Sequence, residues 1–323
     1  MHVFDTVPTV FLDAQTVRPN ELDISCLKHC AEPLTFYAHT QPHELLARTE
    51  GATCIITNKV EVSADFFAAR PEVRLVCVIA TGTNNVDLEA AQAHGVCVVN
   101  CRGYCTQSVA QHAIMLILML LRSAPSYQKQ VQQGDWSQSS LFCLLNDSIV
   151  ETCGLTLGIV GYGDIGRAVR TLAEAFGLRV LISERVGQTP RAGRVAFDQV
   201  IEQADVLTLH CPLTDDTRGM INAERLSAMK DSAVLINTAR GALIDEHALA
   251  AALRAHTIAG AALDVLTHEP PEANHPLLTG IVPNLILTPH NAWASRQARQ
   301  VAIDQTAENI ATWREGRTVR QVV

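Results

Sequence analysis

GIVGYGDIGRAVRTLAEAFG, Gly158–Gly177, places a glycine-rich turn between an apolar run and an amphipathic one. The turn is Gly161-Tyr162-Gly163-Asp164-Ile165-Gly166, a GxGxxG pattern. Alone the pattern is weak, but here it follows LTLGIVG (155–161), which reads as a buried strand. It also opens a run in which Ile165, Ala168, Val169, Leu172, Ala173 and Phe176 recur at helical spacing. Gly161 would make the tight turn, Gly163 would let backbone approach a pyrophosphate, and Gly166 would let helix and strand pack closely. The helix N-terminus, with Asp164 and Ile165 in its first turn, offers free N–H groups and a positive dipole end to phosphates. Such motifs carry an acid ~20 residues on, at the end of the next strand. Glu184, closing RVLISE (179–184), is that acid; it would bind an adenine ribose 2′-hydroxyl and repel a 2′-phosphate. This favours NAD over NADP, and neighbouring Arg185 partly offsets the repulsion.

The same alternation continues on both sides. Downstream, DVLTLHC (205–211), AVLINTA (233–239), IAGAALDVL (258–266) and NLILTPH (284–290) read as strands covered on both faces. Upstream, GATCIITN (51–58), VRLVCVIA (73–80) and CVVN (97–100) read as strands. SADFFAAR (63–70), with Ser63 as N-cap, and LEAAQAHG (88–95), closed by Gly95, read as helices. A long apolar helix runs from about Ser108 to Arg122; Ser108 and Gln111 have capping-box spacing. Gln128–Ser140 reads as a surface connection, and Ser295–Gly316 as a final helix. The fold class is α/β: two Rossmann-like domains with parallel sheets, about what 323 residues allow.

Composition narrows the function classes. The chain is 48% hydrophobic and 18% charged, with 25 Lys+Arg against 33 Asp+Glu and a formal net charge of -8. No basic run offers a footprint for nucleic acid or an anionic membrane. The longest apolar run, Ala113–Leu121, is too short to span a bilayer, and MHVFDTVPTV is not a signal peptide. These features lead to the expectation of a cytoplasmic protein. The ten cysteines contain no CxxC pair; Cys97, Cys101 and Cys105 read as buried or half-buried thiols, and no metal site is expected.

Three apolar strands end in polar segments: NTARG (237–241), DVLTHEPPE (264–272) and TPHNAWAS (288–295). Ligands of open α/β sheets sit outside the carboxyl ends of the strands, so Arg240, Glu269 and His290 would converge on one crevice. With LHCPLTDDTRGMIN (209–222), NTARGALIDE (237–246), ALDVLTHEPP (262–271) and TPH (288–290) in order after the glycine turn, the chain resembles the D-isomer-specific 2-hydroxyacid dehydrogenases along essentially its whole length. ATGTNNVDLEAA (80–91), CRGYCTQSVAQH (101–112) and HNAWAS (290–295) look most like the glycerate dehydrogenase, or hydroxypyruvate reductase, branch.

The resemblance implies roles that the chemistry supports. Arg240 would grip the substrate carboxylate and polarise the carbonyl, tasks suited to a planar permanent cation. His290 would give a proton to the carbonyl oxygen as hydride arrives from NADH, and Glu269 would hydrogen-bond His290 and favour its charged form. Thr106, His210, Thr238, Ala239 and Asp264 would line the cofactor together with Gly161, Gly163, Asp164, Ile165, Gly166, Glu184, Arg240 and His290. Thr81 and Gly82 would offer backbone N–H groups to the substrate carboxylate, and Trp293 would form a pocket wall. Asn291 stands where the family more often has an apolar residue, which makes that wall more polar.

The resemblance further implies a substrate domain of flavodoxin type (1–103 and 293–323), an NAD-binding domain (104–292), an active site in the cleft between them, and a homodimer with the 108–122 helix near its interface. The expected reaction is reduction of hydroxypyruvate to D-glycerate, with glyoxylate a second substrate. The alternatives are a dehydrogenase for another 2-keto acid, of pyruvate or 3-phosphoglycerate type, and a non-catalytic NAD-sensing protein.

Overall fold

The computed structural model describes residues 6–280 and 282–323. The chain divides into two compact units, the first made of the residues up to Cys105 together with Ala294–Val323 and the second spanning Thr106–Trp293.

The first unit carries strands β1 (Thr9–Phe11), β2 (Leu34–Phe36), β3 (Cys54–Thr57), β4 (Leu75–Val78) and β5 (Cys97–Val99). They form one sheet in the order β2-β1-β3-β4-β5, every pair parallel. β3 (CIIT) and β4 (LVCV) are buried along their whole length, as central strands covered on both faces must be. The C-terminal helix Arg296–Arg314 belongs to this unit and turns Ala298, Ala302, Ile303, Ala307 and Ile310 inward. Its start is capped by Ser295, whose Oγ accepts from the Ala298 N–H.

The second unit carries β6 (Thr156–Val160), β7 (Arg179–Ile182), β8 (Val206–Leu209), β9 (Val234–Asn237), β10 (Gly260–Leu263) and β11 (Leu285–Leu287). Their order is β11-β10-β9-β8-β6-β7, again all parallel. The chain leaves β6 to one side for β7, then returns past it to β8 on the other. The connections after β6 and β8 therefore diverge, the place where such sheets receive ligands. Helices Thr106–Leu121 and Asp164–Ala175 cover one face, where Ala113, Ile117, Val169 and Ala173 pack on Leu157, Ile159 and Ile236. Helices Phe197–Gln203, Ala223–Ala228 and Glu246–Arg254 cover the other, around Val200, Leu226, Leu249 and Leu253.

Several expectations are corrected. Two strands precede those read from the sequence, β1 and β2, each three residues long. The long helix begins at Thr106, so Ser108 lies inside its first turn; its hydroxyl donates to the Ala292 carbonyl at 2.6 Å. The polar stretch read as a surface connection is helical over Ala124–Gln133 and Asp135–Gln138. Ser63 stands at the N-cap position but makes no side-chain cap bond. Among the described residues no single helix is long and apolar enough to cross a membrane, and no group of His, Cys, Asp and Glu could hold a metal ion. Of the cysteines singled out in the sequence, Cys101 is buried and Cys97 and Cys105 are half-buried.

Candidate active site

The glycine turn is built by close contacts. Gly161 leaves β6 at φ 94, and a Cβ there would stand 2.4 Å from the Cys211 nitrogen, against the backbone that follows β8. A Cβ on Gly166 would stand 2.3 Å from the Gly161 carbonyl oxygen, so only glycine lets this helix close on the turn. At Gly163 a Cβ would meet nothing within 4 Å. The turn therefore offers an open approach at its middle glycine and tight packing at the outer two. Asp164 and Ile165 open the helix; the Asp164 carboxylate accepts from Arg167 Nη2 at 2.6 Å.

Two buried polar atoms at the ends of the neighbouring strands have no partner among the described residues: His210 Nδ1 and Thr238 Oγ1. Leaving such atoms unpaired costs about 1–3 kcal/mol each, which a bound ligand would offset. Burial pushes the His210 imidazole down to about 4, so it is neutral at pH 7, with Nε2 2.9 Å from the Thr208 hydroxyl. Open glycine backbone, a helix N-terminus and orphaned polar atoms at adjacent strand ends suit a dinucleotide.

Arg240, Glu269 and His290 follow β9, β10 and β11, three neighbours in the sheet. His290 Nδ1 meets Glu269 Oε2 in a short hydrogen bond, and the other oxygen, Oε1, accepts from the Leu266 N–H at 2.8 Å. Both side chains remain about one-third exposed, at 27% and 32%. The Nδ1 contact leaves Nε2 as the ring atom available to a substrate. Arg240 is exposed; Nη1 donates to the adjacent Ala239 carbonyl at 2.6 Å, which leaves the other guanidinium donors available.

Asp264 organises the loop that carries His290. Its buried carboxylate accepts from the Thr288 hydroxyl (2.6 Å) and from the N–H groups of Asn291 (3.0 Å) and Ala292 (2.9 Å). His290 donates its own N–H to the Asp264 carbonyl at 2.8 Å and holds φ at 51, a conformation that side chains other than glycine adopt at a cost. Trp293 closes the loop, its indole N–H donating to the His290 carbonyl at 3.0 Å. His112 sits 3.0 Å from the Thr288 hydroxyl and 3.6 Å from Asp264; burial pushes its imidazole down against the pull of that carboxylate. Thr106, half-buried, is the first residue of the long helix.

In the other unit, Thr81 and Gly82 follow β4. The loop is tied down by Asn100, whose side-chain amide donates to the Thr81 carbonyl at 2.8 Å.

Residues 114–292 match the model of the D-isomer specific 2-hydroxyacid dehydrogenase NAD-binding domain. The chain belongs to the D-isomer-specific 2-hydroxyacid dehydrogenase family. It is 44% identical to a glycerate dehydrogenase of Methylorubrum extorquens over 85% of this chain and 87% of that one. It is 34% identical to a hydroxypyruvate reductase of Blautia hydrogenotrophica over 97% and 98%. A solved glyoxylate reductase of Paecilomyes thermophila superposes with a TM-score of 0.82 at 26% identity, covering 99% of both chains. The protein is thus an oxidoreductase acting on a CH–OH group, with an NAD-binding domain.

Three residues that sequence reading passed over hold the candidate site's segments in place. Asn237 ends β9 buried and staples the turn before Arg240: its amide donates to the Arg240 carbonyl (2.8 Å) and its oxygen accepts from the Ala239 N–H (3.0 Å). Gly241 lies against the segment leading to Glu269; a Cβ there would stand 2.0 Å from the Leu266 carbonyl carbon. Asn100 is the third, in the first unit. The only signal for Asn237 and Gly241 was their place on either side of Arg240 in NTARG.

Proposed function

We propose that the enzyme reduces hydroxypyruvate to D-glycerate with NADH, and glyoxylate to glycolate more slowly. The observation that carries the chemistry is the His290–Glu269 pair at the end of β11, one strand beyond β10 and two from Arg240. When bound, the nicotinamide supplies the hydride. Arg240 binds the substrate carboxylate and polarises the keto oxygen, with Thr81 and Gly82 adding backbone donors to the carboxylate. His290 delivers a proton from Nε2 to that oxygen, and Glu269, holding Nδ1, fixes the ring and stabilises its charged form. In oxidation the same nitrogen takes the proton back. Asp264 fixes the loop, and Trp293 walls the pocket. Gly161, Gly163, Asp164, Ile165 and Gly166 receive the pyrophosphate, Glu184 the adenine ribose, and Thr106, His210, Thr238 and Ala239 complete the cofactor's lining.

The substrate assignment is supported by the 44% identity to a glycerate dehydrogenase. We further propose a cytoplasmic homodimer. Met115 and Phe176 stand exposed beside Leu118 in an apolar groove along the long helix, and Leu141, Phe142 and Leu145 are exposed on the segment after it. A second copy of the chain would cover them.

The test is kcat/KM with NADH across hydroxypyruvate, glyoxylate, pyruvate and bulkier 2-keto acids. A clear preference for hydroxypyruvate is expected. Preference for another keto acid would discard the substrate, and no turnover with NADH still bound would discard catalysis.

A further inference from the structure

Ile159 of β6 pairs with Ile182 of β7, and the Ser183 N–H donates to the Ile159 carbonyl at 2.9 Å. Glu184 therefore leaves its strand level with Gly161, beside the nucleotide turn. Its carboxylate is fully engaged. Oε1 accepts from Arg191 Nη2 (2.6 Å) and the Arg185 N–H (3.0 Å). Oε2 accepts from Arg191 Nε (2.6 Å) and the Arg191 N–H (3.2 Å). A carboxylate has about four acceptor positions, so none is left for a ribose diol. The two backbone donors belong to the turn itself. The Arg191 side chain is 61% exposed and is the partner that can move.

The charge around the site is the reverse of what one acid implies. Arg194 Nε lies 4.0 Å from Oε2, with Nη1 bound to the Ser183 carbonyl at 3.0 Å, and Arg185 is exposed beside them. Two guanidinium groups, those of Arg191 and Arg194, face a single buried carboxylate. A nucleotide that claims Glu184 displaces Arg191 to the edge of the ribose, where its fork suits a phosphomonoester.

We infer that the Arg185–Arg194 loop admits a 2′-phosphate, so that the enzyme takes NADPH as well as NADH, with Arg191 setting the ratio. The inference rests on the placement of the adenine ribose at Glu184 proposed above. Arg191 masks the acid that would otherwise exclude the phosphate, and then pairs with the phosphate itself.

The experiment is equilibrium binding, by calorimetry, of NADH, NADPH, ADP and adenosine 2′,5′-bisphosphate to the wild type, Arg191→Ala and Glu184→Gln. The wild type should bind NADPH within about tenfold of NADH. Arg191→Ala should weaken NADPH and the bisphosphate roughly 10- to 100-fold, the range of one or two charge-assisted hydrogen bonds, and change NADH and ADP little. Glu184→Gln should tighten the 2′-phosphorylated pair. Wild-type NADPH bound about 1,000-fold more weakly than NADH, a gap of ~4 kcal/mol, would overturn the inference and leave the NADH site intact. Equal weakening of all four ligands by Arg191→Ala would also overturn it. Failure of the wild type to bind any of the four would overturn the nucleotide site itself, and the inference with it.

Discussion

Gly241→Ala tests how Arg240 and Glu269 are held in one arrangement. The added methyl would stand 2.0 Å from the Leu266 carbonyl carbon, 2.2 Å from the Thr267 nitrogen and 2.4 Å from the Leu266 oxygen, all backbone. Carbon atoms pack at about 3.5–4.0 Å, so one segment must retreat by roughly 1.5 Å. The facing segment is anchored by two hydrogen bonds to carboxylates, Leu266 N–H to Glu269 Oε1 and Thr267 N–H to Glu246 Oε1, both 2.8 Å. Overpacking costs about 1–3 kcal/mol, and weakening these bonds adds about 1–2 kcal/mol. Alanine's smaller unfolded-state entropy returns about 0.4–1 kcal/mol. The net loss is about 2–4 kcal/mol, a fall in Tm of roughly 5–15 °C for a unit of this size. Because Glu269 moves with the segment and holds His290, kcat/KM should also fall about 100-fold, measured well below the new Tm. The assay is thermal unfolding followed by circular dichroism, with keto-acid reduction on the folded variant. A Tm within about 1 °C of wild type would refute the steric argument, since ~0.5 kcal/mol is the scale of a neutral substitution. Lost stability with unchanged kcat/KM would refute the coupling between the two loops.

Gly163→Ala should do the opposite: its Cβ meets nothing within 4 Å, so Tm should hold while NADH affinity falls about tenfold or more; tight NADH binding in this variant would remove Gly163 from the pyrophosphate site. His290→Ala should lower kcat by ~100-fold or more. Near-normal turnover in that variant would remove His290 from the proton transfer. Asp264→Asn turns an acceptor into a donor facing N–H or O–H groups, which should cost about 1–3 kcal/mol in denaturant unfolding and lower kcat through the His290 loop; a variant with both unchanged would show that the loop stands without the carboxylate. His210, pushed down to about 4 by burial, is neutral in the folded chain while the unfolded chain takes up a proton near pH 6.5. Stability should therefore fall as pH drops from about 6.5 towards 4, by up to ~3 kcal/mol, and His210→Gln should flatten that slope.

The second unit was legible because its signals are local and repeated. β6 is buried at every residue and leads straight into the glycine turn, and each later strand is a continuous apolar run ending in polar residues. The runs overshoot the strands, since Ile258 and Val265 stay buried beyond the ends of β10. β1 and β2 escaped because three residues carry no periodicity, and β2 is half-exposed at a sheet edge. Helix Ala124–Gln133 escaped because it buries no residue and so shows no apolar face.

The sequence by itself determined the α/β class, the nucleotide turn and the polar strand ends that hold Arg240, Glu269 and His290, because period and spacing are properties of neighbouring residues. Only the tertiary structure decided which groups those residues meet. It showed Glu269 gripping Nδ1 of His290, Asp264 holding the loop behind it, and Arg191 occupying Glu184. These partners are brought together by the register of parallel strands far apart in the chain, and hydrogen bonds set by that register leave no trace in local pattern.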